Sequence, residues 1–333
     1  MKRSNAQVQE YAKFIELPAQ RKLLSLLEGR HGGTGAGSSH EFLDMAEYKV
    51  GDDVKDIDWK ASARLSQPVI KRFESTAVLN IVLAVDTGAN MAALASGRIT
   101  GSNTSPYTPP VDPKTGLWIE QGEPDFGSPE PKEDVSANLV TAIAWLTAYR
   151  GDHLGLVAGD SEDLVTMPAR SGITHAQTMQ RVATRATPQG APGDFNAVLR
   201  RVDAVRRHRA LIIAVSDLEG ADAADPFYLK RLRYRHDIFF FIVEDLDPTR
   251  FSHPENLPLV DVQSGPLPDF ASGQGAGEAI AAQWRMSQRL QRKRVEEKFH
   301  RHGIRWAYVG SSEGVPGALL TAFGGDSRGA SSA

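Results

Sequence analysis

Three short runs stand out because nearly every position in them is apolar. Val78-Leu79-Asn80-Ile81-Val82-Leu83-Ala84-Val85 stops at Asp86, Ala210-Leu211-Ile212-Ile213-Ala214-Val215-Ser216 stops at Asp217, and Ile238-Phe239-Phe240-Phe241-Ile242-Val243 follows Asp237. Each has strand length and is rich in β-branched or aromatic residues, as in a strand covered on both faces. Shorter runs at residues 153–158 and 304–309 predict two more strands. Between the runs the spacing becomes helical. Val135, Leu139, Ile143 and Leu146 mark one face of a helix over residues 134–149, and residues 173–184, 196–207, 227–235 and 278–302 read as further helices. Alternating buried strands and helices predict an α/β fold, a doubly wound and mostly parallel sheet over residues 76–323. Upstream, residues 1–75 read as an N-terminal helical segment, split near Pro18, followed by a Gly-rich loop and a mixed stretch packed on the main domain. Residues 97–132, dominated by Gly, Ser, Pro, Thr and acidic residues, predict a surface insertion, and residues 324–333 a flexible Gly/Ser tail.

Composition narrows the chemistry. The 333 residues include no Cys, which excludes a disulfide scaffold, thiolate metal sites and a Cys nucleophile. Lys and Arg total 38 against 41 Asp and Glu, a net charge of -3, without the basic excess of a dedicated nucleic-acid binder. The average conceals an uneven distribution: Arg-rich helices late in the chain, acidic clusters at residues 52–58 and 120–134. That asymmetry points to a protein partner and not to nucleic acid. The apolar runs are too short to span a bilayer, and no signal-peptide stretch follows Met1-Lys2-Arg3-Ser4, so no transmembrane segment and a cytoplasmic location are expected.

Functional groups in doubly wound sheets gather at the carboxyl ends of the strands, and both Asp86 and Asp217 stand there. With Asn90 after the first strand and Asp194 before the 196–207 helix, they could supply oxygen ligands to Mg²⁺ or Ca²⁺. Capping of the following helices is the other role open to them, and a common one. A second acidic group, Asp52, Asp53, Asp56 and Asp58, could serve a metal-dependent hydrolase with His31 or His40. Ion pairing with Lys60, Arg64 and Lys71 is its commoner role. Gly32-Gly33-Thr34-Gly35-Ala36-Gly37 lacks the following Lys of a phosphate loop. No His-Glu-x-x-His pair occurs.

Residues 29–74 carry a long specific signature: Gly29-Arg30-His31, Gly37, Glu41-Phe42, then Tyr48-Lys49-Val50-Gly51-Asp52-Asp53-Val54-Lys55-Asp56-Ile57-Asp58-Trp59-Lys60-Ala61-Ser62-Ala63-Arg64, and Lys71-Arg72-Phe73-Glu74. With Asp86, Gly151-Asp152-His153, Ser216-Asp217 and Arg235-His236-Asp237 downstream, residues 25–310 resemble the "domain of unknown function 58" family. The resemblance implies a sheet domain of von Willebrand factor A type behind a signature segment. It implies a non-enzymatic adaptor that works with a MoxR-type AAA+ ATPase to mature a target complex or insert its metal. One branch of the family is linked to calcium loading of methanol dehydrogenase. Within the signature, His31, Tyr48, Gly51, Asp52, Asp53, Asp56, Asp58, Trp59, Arg64 and Glu74 are expected to be structural or to contact a partner. The metal-ion-dependent adhesion site of A-type domains reads Asp-x-Ser-x-Ser. Here Asp86 and Asp217 match, Gly88 and Asn90 replace the serines, and Asp194 lies near an expected Thr, so the resemblance implies a degenerate site.

Overall fold

The computed structural model of the chain describes residues 40–48, 57–65, 67–75, 78–98, 130–183, 190–206, 208–249, 260–262, 265–266 and 276–323. In chain order these form β1 (His40–Glu47), α1 (Trp59–Leu65), β2 (Val69–Ser75) and β3 (Asn80–Asp86). Then come α2 (Lys132–Arg150), β4 (His153–Gly159), β5 (Leu164–Arg170), α3 (Ile173–Ala183), α4 (Phe195–Val205) and β6 (Leu211–Asp217). The order continues with α5 (Leu218–Ala223), α6 (Pro226–Arg235), β7 (Asp237–Val243), β8 (Val260–Asp261), β9 (Gly265–Pro266), α7 (Ala276–His302), β10 (Arg305–Val309) and α8 (Val315–Phe323). The expected helices at residues 7–28, the Gly-rich loop, the interior of the 97–132 insertion and the tail lie outside the described residues.

The described residues divide into two compact units, with the boundary between Val78 and Leu79. In the first, β1 and β2 pair antiparallel from His40 opposite Ser75 to Glu47 opposite Val69, with a bulge between Phe42 and Asp44. Asp58 starts α1: its Oδ1 accepts the N–H groups of Lys60 and Ala61, both at 3.0 Å. Ser62 Oγ donates to the Asp58 carbonyl at 2.7 Å and accepts the Val69 N–H at 2.9 Å, tying the helix to the start of β2.

The second unit is a mixed α/β structure around a six-stranded sheet of order β10-β7-β6-β3-β4-β5, parallel except for the β4–β5 pair. Alternation along each buried strand sends successive side chains to opposite faces. Ile81, Leu83, Val85, Phe239 and Phe241 pack on one face with Leu139 and Ile143 of α2. Val82, Ala84, Ile212 and Phe240 pack on the other with Phe195 and Leu199 of α4 and with Val295 and Phe299 of α7. Phe240 meets Phe195 edge to face at 5.4 Å and Phe299 at 4.6 Å. Burial on both faces explains why β3, β6 and β7 read as continuous apolar runs.

Not every element follows the apolar pattern. β5 buries none of its seven residues fully, because it is the antiparallel edge of the sheet with only one neighbour. The short helices α5 and α8 offer too few turns for a period to show. The helix expected from residue 134 begins two residues earlier, at Lys132, and that difference matters for the site.

Candidate functional site at the carboxyl ends of the central strands

Parallel register brings the site together. β3 and β6 run side by side from Ile81 opposite Leu211 to Val85 opposite Val215, so Asp86 emerges beside Ser216 and Asp217. A single 3-10 turn, Ala89–Ala92, follows β3 and returns Asn90 over the same spot. Asn90 Nδ2 donates to Asp86 Oδ2 at 3.1 Å and to Asp217 Oδ2 at 2.9 Å. Ser216 Oγ donates to Asp86 Oδ2 at 2.7 Å. The backbone closes the outer oxygens: Gly88 N–H reaches Asp86 Oδ1 at 3.0 Å, and Gly220 N–H reaches Asp217 Oδ1 at 2.9 Å. Asp86, Asn90, Ser216 and Asp217 are all buried.

A fifth group completes the cluster. Lys132, the first residue of α2 and only 2% exposed, extends its ammonium to Asp217 Oδ2 at 2.7 Å and to Asp245 just beyond β7. Its main chain is fixed by a small ladder. Lys132 N–H donates to the Ala93 carbonyl at 2.8 Å and Ala95 N–H to the Glu130 carbonyl at 2.8 Å, while Leu94 faces Pro131 and Ala95 faces Asp245. Glu130 in turn accepts from the N–H and the Oγ of Ser312, both at 2.6 Å. Residues 93–95 and 130–132 are therefore joined at the carboxyl edge of the sheet.

The charges follow from this packing. Burial, and next the Asp217 carboxylate, push the Asp86 carboxyl above the usual aspartate range, against the pull of Gly88, Ser216 and Asn90. Burial also opposes ionisation of Asp217, but the Lys132 ammonium outweighs it and holds Asp217 below its usual value. Burial alone would lower Lys132; Asp245 and Asp217 reverse that and keep it protonated.

Of the residues singled out in the sequence, the fold brings together Asp86, Asn90 and Asp217. Asp194 is engaged with its own helix: its Oδ1 accepts the Ala197 N–H at 3.0 Å as the α4 cap, and its Oδ2 pairs with Arg200 at 3.1 Å. Tyr48, Asp58, Trp59, Arg64 and Glu74 belong to the other unit, where Asp58 is a cap, Trp59 is 67% exposed and Glu74 is in register with Glu41 in the β1–β2 pair. His31, Gly51, Asp52, Asp53 and Asp56 lie outside the described residues. Lys132, Ser216 and Asp245 are cluster members that the sequence reading overlooks. One signal for Lys132 was present, since a cation in the first turn of a helix opposes its dipole and must be held by something else.

The facing Oδ2 atoms have no lone pair left for a divalent cation. A carboxylate oxygen has two lone pairs. Asp86 Oδ2 already receives Asn90 and Ser216, and Asp217 Oδ2 receives Asn90 and Lys132. A metal ion between the carboxylates would displace the Asn90 amide and face the ammonium. Among the described residues, no group of three or more His, Asp or Glu side chains is arranged to hold a metal.

Comparison with known proteins adds the family. The family described as "Protein of unknown function DUF58" matches residues 44–100 and 115–272, well over half of the chain. Uncharacterized proteins of Mycobacterium bovis and Mycobacterium tuberculosis are 26% identical over 265 residues, 78% of this chain and 72% of theirs. Among solved structures, an aerotolerance-related membrane protein from Bacteroides fragilis aligns with a TM-score of 0.39 at 10% identity, over 74% of this chain and 98% of that one. The conserved hypothetical protein BatB from Bacteroides thetaiotaomicron aligns with a TM-score of 0.40 at 10% identity, over 74% and 97%. No helix among the described residues is long and apolar enough to cross a membrane.

Proposed function

Because the chain belongs to the DUF58 family of proteins of unknown function, we propose that it is a cytoplasmic, non-enzymatic adaptor with a sheet domain of von Willebrand factor A type. In this reading it works with a MoxR-type AAA+ ATPase in maturing a target complex, methanol dehydrogenase being one example. One observation carries the non-enzymatic part. Asp86 and Asp217, the predicted site carboxylates that converge among the described residues, are buried and turned to internal donors, so neither is aimed outward as a base, nucleophile or ligand. A group that must take a proton from substrate needs a free lone pair aimed outward. Buried, internally bonded carboxylates instead give a rigid edge of the kind that presents loops to a partner. The loops at that edge are residues 87–98, 130–132, 190–194 and 244–249. The ATPase partner rests on the resemblance of the 48–64 signature.

The test is co-purification of the tagged full-length chain with an AAA+ ATPase encoded beside it, with ATP and with a non-hydrolysable analogue. Stable capture that is lost when residues of the 244–249 loop are changed supports the adaptor. Failure to bind any such ATPase under either condition overturns it. Turnover of a phosphoester or peptide by the purified chain would overturn the non-enzymatic reading separately.

A further inference from the structure

The Lys132 ammonium occupies a place where charge of its own sign is otherwise expected from a bound ion. Carboxylates gathered at the tips of parallel strands repel one another unless a cation stands among them. Here three converge: Asp86, Asp217 and Asp245. Lys132 bridges two of them, and Asn90 links the third through its amide. The lysine side chain is fully buried, which is unusual for this residue type unless it is paired. Its position is not incidental. The segment 93–95 that fixes the Lys132 main chain also faces Asp245, so cation and counter-ions are registered by one piece of backbone.

We propose that Lys132 is the resident cation of this site, a tethered ammonium that bridges Asp217 and Asp245 and pins the 93–95 and 130–132 segments to the sheet without any metal. The proposal goes beyond the adaptor reading and does not depend on a partner. It has two consequences. Divalent cations neither bind the wild-type site nor stabilise the protein. The stability usually lost on stripping a metal is here lost on removing one side chain.

The experiment uses the full-length chain. Its melting temperature is measured in EDTA, in 5 mM MgCl₂, in 5 mM CaCl₂ and in 5 mM MnCl₂, with calorimetric titration of each ion. The expected result is one melting temperature and no saturable heat. A divalent ion that raises the melting temperature by several degrees, with the rise abolished by Asp217→Asn, overturns the proposal. The second arm is Lys132→Met, Asp217→Asn and the double variant. Lys132→Met leaves buried carboxylates without their cation and is expected to lower the melting temperature by about 5–10 °C, whereas Asp217→Asn leaves the ammonium paired with Asp245 and is expected to lower it by less. The double variant is expected to lose clearly less than the two losses combined. If Lys132→Met does not fold, the double variant must recover a folded protein. Lys132→Met as stable as wild type, or a double variant no better than Lys132→Met alone, refutes the role.

Discussion

Gly88 stands where the resemblance to A-type domains implies a serine, and placing a serine there is a direct test of why the site departs from that pattern. Its φ of -68° and ψ of 168° suit any residue, so backbone strain is not at issue. Space is. An ideal Cβ on Gly88 would sit 2.3 Å from the Gly193 Cα, 2.5 Å from the Gly193 nitrogen and 2.6 Å from Asn90 Oδ1. Carbon atoms in contact prefer about 3.5–4.0 Å, so the loop around Gly193 must retreat by roughly 1 Å or more. Two of those three atoms are backbone and cannot rotate away. Overpacking costs about 1–3 kcal/mol, and a backbone-to-backbone clash belongs at the upper end, a fall of about 6–12 °C in melting temperature for a domain of this size. Gly88→Ser and Gly88→Ala should lose the same amount, since the shared Cβ causes it. Thermal unfolding followed by circular dichroism, with and without MgCl₂, measures both. The reasoning fails if Gly88→Ser melts with wild type, if Gly88→Ala is tolerated while Gly88→Ser is not, or if Mg²⁺ rescues the serine variant.

Asn90→Asp should be among the most destabilising isosteric changes in the sheet unit, by about 3 kcal/mol, because it removes two donated hydrogen bonds and adds a carboxylate against Asp86 and Asp217. Burial and like charge raise the folded-state pKa of the new group, so the deficit should shrink as pH falls from 7 to 5 in urea titrations; a constant deficit argues against the charge account. Asp194→Ala should cost only about 1 kcal/mol, the worth of a helix cap, and leave the response to cations unchanged; a changed calcium or magnesium titration would show that Asp194 belongs to the site after all. His236 is buried with neither ring nitrogen hydrogen-bonded, and burial, then Arg235 and Arg206, hold its pKa below the usual value against Asp203 and Asp237. Below about pH 6.5 the unfolded chain takes up that proton more readily, so stability should fall with pH there, and His236→Phe should flatten this limb in urea midpoints measured between pH 7.5 and 5.5.

The central strands were legible in the sequence because burial on both faces removes nearly every polar position inside them, leaving polar residues at their ends. β3, β6 and β7 therefore announce themselves, and each run also marks its own carboxyl end through Asp86, Asp217 or the following Glu244 and Asp245. β5 was not legible for the converse reason. As an exposed edge it has no apolar run, and its pairing to β4 is fixed by the hairpin turn at residues 160–163, where Asp160 Oδ1 accepts the N–H groups of Glu162 and Asp163 at 2.8 Å each.

The site was half legible, and the missing half is the instructive one. Strand position alone forecasts that Asp86 and Asp217 meet, because neighbouring parallel strands in register deliver their last residues to one place. It cannot forecast what neutralises them. The cation comes from 85 positions away in sequence, at the far end of a stretch whose composition reads only as an insertion. Reading that stretch as ending at residue 132 and the helix as starting at residue 134 discards Lys132 twice. The dipole rule would have kept it: a lysine directly before Glu133 and Asp134, in the turn where acidic residues belong, is out of place on local grounds. A residue that is locally unfavourable yet present must be held by tertiary contacts, and the unmatched carboxylates at the strand tips are the groups with the charge to hold it. The same logic explains Gly88. With the cation supplied by Lys132, a side-chain oxygen at residue 88 has nothing to bind, and the position is free to close against Gly193.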